Sequence, residues 1–325
     1  MANKSHMTDN PSHLPDKAQL IEAQEQLATW VHQTPVLTSS YINELVGAQV
    51  FFKCEQLQRM GAFKMRGATK ALLDLSPEQR AQGVVTHSSG NFGQAVALAS
   101  KMMGVTAYVV MPDQTPQVKK AAVRGYGAQV TECVSTIEAR VAMTAQIVSE
   151  KGATPLHPSN DLSVILGNAT AAMEFLNQVS GLDQIVVPVG GGGLLAGTAL
   201  ACHYFGQECL CIGAEPEQVN DAFRSLQTGV IQHNTQTNTI ADGLKTQLGD
   251  VNFPIIESLV SAIHCVDEQE IVGAMRLLYE RMKLVVEPSS AVALAAVLKN
   301  HNLLKGKNIG IILSGGNVDL SALPF

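Results

Sequence analysis

Ile185-Val186-Val187-Pro188-Val189-Gly190-Gly191-Gly192-Gly193-Leu194-Leu195-Ala196-Gly197 passes from a short apolar run, through four glycines, into a second apolar stretch. The first run reads as a buried strand Ile185 to Val189. The last opens a helix from Leu194 to Tyr204, and a second strand returns at Leu210 to Ala214. Four residues without side chains let backbone N–H groups converge on an oxyanion, and the helix N-terminus adds partial positive charge. This is the build of a phosphate cup. Gly191-x-Gly193-x-x-Ala196 also fits a dinucleotide fingerprint, with Glu215 near the place of its ribose-binding acid, so a nicotinamide-binding protein stands as an alternative. A Walker loop is excluded because no Gly-Lys-Ser/Thr follows.

The same alternation recurs upstream. Val84-Val85-Thr86 reads as a strand, Ser88 to Asn91 as a loop, Phe92 to Met103 as a helix and Ala107 to Val110 as a strand. A helix through Val118 to Arg124 then leads to Ala128-Gln129-Val130. Asp16 caps a helix carrying Leu20, Ile21, Leu27, Ala28 and Val31, and Val50-Phe51-Phe52 is a short strand. Asp267 with Glu270 forms a capping box before the stripe Ile271, Ala274, Met275, Leu278 and Met282. The last strand, Ile309 to Leu313, runs into Ser314-Gly315-Gly316-Asn317. Nearly continuous apolar strands between helices predict an α/β fold with mostly parallel sheets covered on both faces, in two units sharing a ligand cleft.

Composition agrees. Of 325 residues 46% are hydrophobic and 15% charged, with 27 glycines, which predicts a compact enzyme rich in special turns. A net charge of -6 gives no basic footprint for nucleic acid or an anionic membrane, so a small-molecule partner is expected. Cys54, Cys133, Cys202, Cys209, Cys211 and Cys265 are scattered without zinc spacing and read as small buried hydrophobes. With no apolar leader and no run of about 18 apolar residues, a reducing cytoplasm is expected. Met1 to Met7 read as a cloning remnant.

The stretch Glu55-Gln56-Leu57-Gln58-Arg59-Met60-Gly61-Ala62-Phe63-Lys64-Met65-Arg66-Gly67-Ala68 sets a lysine after an aromatic residue, among glycines, at a helix start. A solvated surface charge does not need those neighbours, whereas Schiff-base chemistry needs a lysine whose pKa falls on burial. This stretch resembles the cofactor-lysine motif of the serine racemase and serine/threonine dehydratase family, enzymes of fold type II that use pyridoxal 5'-phosphate (PLP). Three further blocks resemble that family in the right order: Thr86-His87-Ser88-Ser89-Gly90-Asn91, Gly190 to Gly193, and Ser314 to Asn317. Thr239 to Gly243, Glu280 to Lys283 and Glu287 to Ser290 match as well. The resemblance runs from about Thr34 to Leu320 and is nearest to the racemases.

The resemblance implies roles. Lys64 holds the cofactor as an imine and takes the substrate α-proton, while Ser89 delivers a proton from the other face. Phe63, Asn91, the cup Gly190, Gly191, Gly192 and Gly193 with Leu194, and Ser314 bind the cofactor, Ser314 meeting its pyridine nitrogen. Ser88, Ser89, Gly90, Asn91, Phe92, Arg140 and Thr246 surround the substrate. Glu215, Val219 and Asp221 match a divalent-cation site whose oxygen ligands suit Mg2+ or Ca2+. Gln94, Tyr126, Lys283 and Asn317 match positions that bind ATP at a subunit interface of activated racemases, which implies a homodimer. Phe92 departs from the family, which has His there, and this bears on substrate size and on the balance of racemisation and dehydration. No regulatory domain follows the Ser314 block, so feedback by isoleucine is not expected.

The expected layout is a large domain from 8–82 and 158–325 and a small mobile domain from 83–157. The expected activity is interconversion of L- and D-serine together with elimination of serine, and of threonine, to the 2-oxo acid and ammonia. Dehydration of threo-3-hydroxyaspartate, a dedicated L-threonine/L-serine ammonia-lyase, and a PLP- or nucleotide-binding protein with little turnover are the alternatives.

Overall fold

A computed structural model describes residues 14–325; the stretch Met1 to Met7 and the expected start of the large domain at residue 8 lie outside the described residues. Among the described residues ten strands run in chain order: β1 Val36–Thr38, β2 Gln49–Cys54, β3 Val84–His87, β4 Ala107–Pro112, β5 Gln129–Cys133, β6 Thr154–Pro155, β7 Gln184–Pro188, β8 Leu210–Pro216, β9 Ala262–Val266 and β10 Asn308–Leu313. They form a six-stranded sheet of order β1-β2-β10-β7-β8-β9 and a four-stranded sheet of order β5-β4-β3-β6. Every pairing is parallel except β1 with β2. The chain is therefore an α/β protein of the kind expected, with its strands linked through helices.

Parallel strands covered on both faces bury all their side chains, and β7 is buried at every position. Close helix packing needs small residues where backbones approach. Gly310 sits in mid-β10, and a Cβ there would lie 2.8 Å from the Phe175 ring on helix Leu162–Gln178. That helix is buried without a break from Val164 to Met173. It packs against both helix Gly193–Phe205 and helix Lys64–Leu73.

Local rules explain the ends of several helices. Asp16 and Gln19 form a reciprocal capping box on helix Lys17–Leu27, and Asp267 with Glu270 does the same for helix Glu268–Leu277. The stripe expected to run to Met282 departs from plain α-helix. After Leu277 the chain widens into a π-turn over Leu278–Met282 and stops at Lys283, whose φ is 60°.

The carboxyl ends of β2, β10 and β7 are neighbours in the larger sheet, and those of β3 and β6 are neighbours in the smaller. The glycine run follows β7, the Ser314 block follows β10, the Lys64 loop follows β2, and the Ser88–Asn91 loop follows β3. Ligands of open α/β sheets bind beyond the carboxyl ends of strands, and these segments meet there.

Candidate active site

The Lys64 loop is zipped to the Ser314 block by backbone hydrogen bonds. Phe63 N–H donates to the Ser314 carbonyl at 3.0 Å, Gly316 N–H to the Gly61 carbonyl at 2.9 Å, and Ala62 bridges to Gly315. Gly61 turns with φ 80°, and a Cβ on it would meet the Asn317 side chain at 2.8 Å. Helix Lys64–Leu73 then starts at the lysine itself. Two residues on, Arg66 is fully buried and bonded to Glu55 (Nε, 2.7 Å) and Glu174 (Nη1, 2.7 Å), while Lys53 joins Glu174 at 2.7 Å. This buried ion network anchors the first turn of the lysine helix to β2 and to helix Leu162–Gln178.

Lys64 opens onto a cavity of about 1110 Å³ between the two sheets. Its Nζ donates to the Pro158 carbonyl at 2.6 Å and lies 5.0 Å from the Phe63 ring centroid and 5.7 Å from that of Phe92. Burial pushes the amine down to about 8, against the charge of Glu287, which pulls it up. Such an amine is neutral in part near physiological pH, as a nucleophile or base requires.

The glycine run closes one end of the cavity. A Cβ on Gly190 would lie 2.8 Å from Leu244 Cα, on Gly191 2.3 Å from Ser159 Oγ, and on Gly193 2.9 Å from Ser159 Cα. Gly192 has φ 80° and caps helix Gly193–Phe205. Asn252 braces the run by donating from Nδ2 to the Gly191 carbonyl at 2.9 Å. The run is thus a side-chain-free cradle at the positive end of a helix, fit for a phosphate.

The structure places most residues expected at the site around this one cavity: Phe63, Lys64, Ser88, Ser89, Gly90, Asn91, Phe92, Arg140, Thr246, the four glycines, Leu194 and Ser314. Gln94 and Asn317 line it too, whereas Tyr126 and Lys283 are not part of its lining. Tyr126 ends helix Gln117–Gly125, and Lys283 is exposed with its Nζ on the Glu280 carbonyl. The expected nucleotide set is therefore not gathered within one chain.

Glu215 and Asp221 are buried outside the cavity. Glu215 accepts from Ala222 N–H at 3.1 Å and Phe223 N–H at 2.9 Å, and Asp221 from Asn234 Nδ2 at 2.5 Å and Leu248 N–H at 3.1 Å. Burial, with the charge of Asp221 second, raises the Glu215 carboxyl well above its usual range, and burial pushes Asp221 up to about 6. Among the described residues no group of three or more His, Cys, Asp or Glu side chains is placed to hold a metal.

Other cavity residues had no role in the sequence reading. His157 Nδ1 accepts from the backbone N–H groups of Ser159 (3.2 Å) and Asn160 (2.8 Å), which leaves its proton on Nε2, and its ring meets His87 edge-on at 6.3 Å. Glu287 receives Asn91 Nδ2 at 2.9 and 3.0 Å. The pair Glu287-Pro288 could be read as a helix start, but nothing in the chain marks its contact with Asn91, 196 residues away.

A two-sheet α/β protein with a phosphate cradle and a depressed lysine in one cleft is built as a PLP enzyme of fold type II. The family model described as pyridoxal-phosphate dependent enzyme matches residues 27–315. The serine racemase of Dictyostelium discoideum is 49% identical over 306 residues, 93% of this chain and 94% of that protein. The beta-hydroxyaspartate dehydratase of Paracoccus denitrificans is 44% identical over 313 residues, 96% and 99% of the two chains. The solved structure of maize serine racemase superposes with a TM-score of 0.92 at 42% identity, covering 94% of each chain. This chain belongs to the pyridoxal-phosphate dependent enzymes. The nicotinamide alternative falls with that result, and Glu215 serves the start of helix Asp221–Thr228 instead of a ribose.

Proposed function

We propose that the enzyme interconverts L- and D-serine and also eliminates water from serine to give pyruvate and ammonia. One observation carries this reading: Lys64 and Ser89 reach the same cavity from different units, one after β2 and one after β3. Inversion needs proton transfer on both sides of the α-carbon, and these two groups supply a base and a hydroxyl. The cradle Gly190–Gly193 with Leu194 would hold the cofactor phosphate, Ser314 its ring nitrogen, Asn91 its ring hydroxyl, and Phe63 its flank. Bound there, PLP supplies an aldehyde for the substrate amine and a ring that accepts electron density from the α-carbon. Lys64 Nζ takes the α-proton. Ser314 is a neutral partner that does not keep a proton on the ring nitrogen, so loss of the β-hydroxyl competes with simple return of the proton.

The N-terminal turn of helix Asn91–Met103, preceded by Ser88, Ser89 and Gly90, suits the substrate carboxylate, with Phe92 and Thr246 at the substrate's edge. Arg140 and His87 in the same cavity favour a second reading, dehydration of 3-hydroxyaspartate, whose extra carboxylate they would meet. We take 83–157 as the mobile small domain and the rest as the large one; closure would exclude water from the cavity. Glu215, Asp221 and the Val219 carbonyl suit Mg2+ or Ca2+: the two carboxyls are buried, the charge of Asp221 raises Glu215, and each carboxyl oxygen keeps a lone pair beyond the one bonded. ATP at Gln94, Tyr126, Lys283 and Asn317 would need a partner chain, as would the homodimer, for which exposed Tyr41 and Leu45 offer surface. Six free thiols suit a reducing cytoplasm, and no helix among the described residues is long and apolar enough to cross a membrane.

Incubation with L-serine, with and without Mg2+ and ATP, followed by chiral separation and a pyruvate assay, tests the reading. Ser89→Ala should abolish D-serine while keeping pyruvate. Equal loss of both would remove Ser89 from the inverting step, and turnover of 3-hydroxyaspartate well above serine would favour the second reading.

A further inference from the structure

Glu287 is buried, directly precedes the Pro288 that opens helix Pro288–Lys299, and makes no side-chain cap to that helix. Its carboxylate turns instead to Asn91, taking one amide nitrogen at 2.9 and 3.0 Å through its two oxygens. Gly315 makes room for it: a Cβ there would lie 2.9 Å from Glu287 Oε1. On its other side the Asn91 Oδ1 accepts from Asn317 Nδ2 at 2.8 Å, and Asn317 Nδ2 also donates to the Met60 carbonyl at 2.9 Å. A polar chain thus runs from Glu287 through Asn91 and Asn317 to the turn that precedes Lys64.

We propose that Glu287 is a positioning residue, which fixes the Asn91 amide in the single orientation that offers an N–H to the ring hydroxyl of the cofactor. The two oxygens of one carboxylate are close enough together that they share one amide hydrogen of Asn91, and the second hydrogen remains for the cavity that Asn91 lines. A flipped amide would point Oδ1 at the carboxylate and Nδ2 at the Asn317 Nδ2 donor. Both contacts would become repulsive, so the ionised carboxylate permits one orientation only.

The hold should depend on pH. Burial pushes Glu287 up to about 7; the Asn91 bond and the charge of Lys119 oppose this, Asp242 adds to it, and the Asn317 N–H opposes it. Lys64 also faces Glu287 and titrates higher, at about 8. Below about pH 7 the neutral carboxyl is a weaker acceptor, and the amide is held less firmly, by the Asn317 bond and what remains of the Glu287 contact.

This inference rests on the proposed placement of the cofactor, and the test separates the two. Pyridoxine 5'-phosphate keeps the phosphate and ring hydroxyl but has no aldehyde, so its binding is free of imine formation at Lys64. Its affinity for the apoprotein is measured by calorimetry beside that of the analogue carrying hydrogen in place of the ring hydroxyl. Glu287→Gln should weaken pyridoxine 5'-phosphate about tenfold, the size of one charge-assisted hydrogen bond, and leave the analogue unchanged. On an Asn91→Ala background the substitution should add nothing. Equal weakening of both ligands, or full additivity with Asn91→Ala, would overturn the proposal. If the variant does not fold, the native apoprotein decides: its preference for the hydroxyl-bearing ligand must fall as pH drops through about 7, and a flat preference overturns the idea. A native apoprotein that binds neither ligand defeats the placement of the cofactor as well.

Discussion

Lys119 and Asp242 meet at 2.7 Å at the rim of the cavity, one on the helix that follows β4 and the other in the loop that presses against the glycine cradle. Gly243 and Leu244 follow Asp242, and the Gly243 carbonyl and Leu244 Cα stand 3.0 and 2.8 Å from where a Gly190 Cβ would be. The pair therefore ties the smaller sheet's unit to the wall of the phosphate cup. Both side chains are solvent-accessible, so the bond adds within about 1 kcal/mol to stability. Lys119→Ala should leave the melting temperature nearly unchanged yet raise KM for serine several-fold. Salt should raise KM in the native enzyme and have little further effect in the variant. The same KM and salt response in both would show that the pair plays no part in the closure proposed for 83–157.

Arg66 makes the opposite case. It is fully buried between Glu55 and Glu174, and Arg66→Ala would leave two carboxylates in the interior with only Lys53 to offset them. Breaking one side of a buried ion pair costs about 3–5 kcal/mol. Denaturant unfolding should register a loss of that size, and Arg66→Lys should recover only part because an ammonium cannot make the two-pronged bond to Glu55. A loss below about 1 kcal/mol would mean that the network is solvated or dispensable.

Lys64 predicts a pH profile. Its folded value is depressed to about 8 by burial, so the neutral amine dominates above that pH and the protonated one below. Capture of the cofactor aldehyde by the apoprotein, followed at the visible imine band, should be about tenfold faster at pH 9 than at pH 7 and then level off. An unperturbed lysine would still be gaining speed beyond pH 10. A rate that climbs steadily past pH 10 would contradict the buried, desolvated amine.

How much of this was legible in the chain depends on the kind of signal. The strands β3, β4, β7, β8 and β10 and the helices beside the glycine run and after Asp267 followed from short-range patterns: apolar runs, glycines and a capping box. Helix Leu162–Gln178 left no such pattern because it is enclosed on nearly all sides, and a helix buried all round has no polar face to mark its period. At the site, the glycines and Lys64 advertise themselves through unusual neighbours. Glu287 and the pair of Lys119 with Asp242 do not, since their meaning lies in partners more than a hundred residues distant.

Phe92 stands where the resemblance implies a histidine, and the structure gives the phenyl ring at that position a physical content. The ring is 2% exposed, lies in the first turn of helix Asn91–Met103, and has its centroid 5.7 Å from Lys64 Nζ. A phenyl face stabilises the ammonium weakly and can neither give nor take a proton. Phe92→His would place an imidazole there, at a cost of about 1–3 kcal/mol for burying its polar atoms. A protonated imidazole so close to the substrate can donate to a departing β-hydroxyl, so the ratio of pyruvate to D-serine should rise about threefold or more at pH 6, and return towards the native ratio above pH 8 as the ring loses its charge. Measuring both products from one incubation across that range checks it. If the ratio does not move with pH in the variant, Phe92 acts only as packing and the partition between the two reactions is set elsewhere in the cavity.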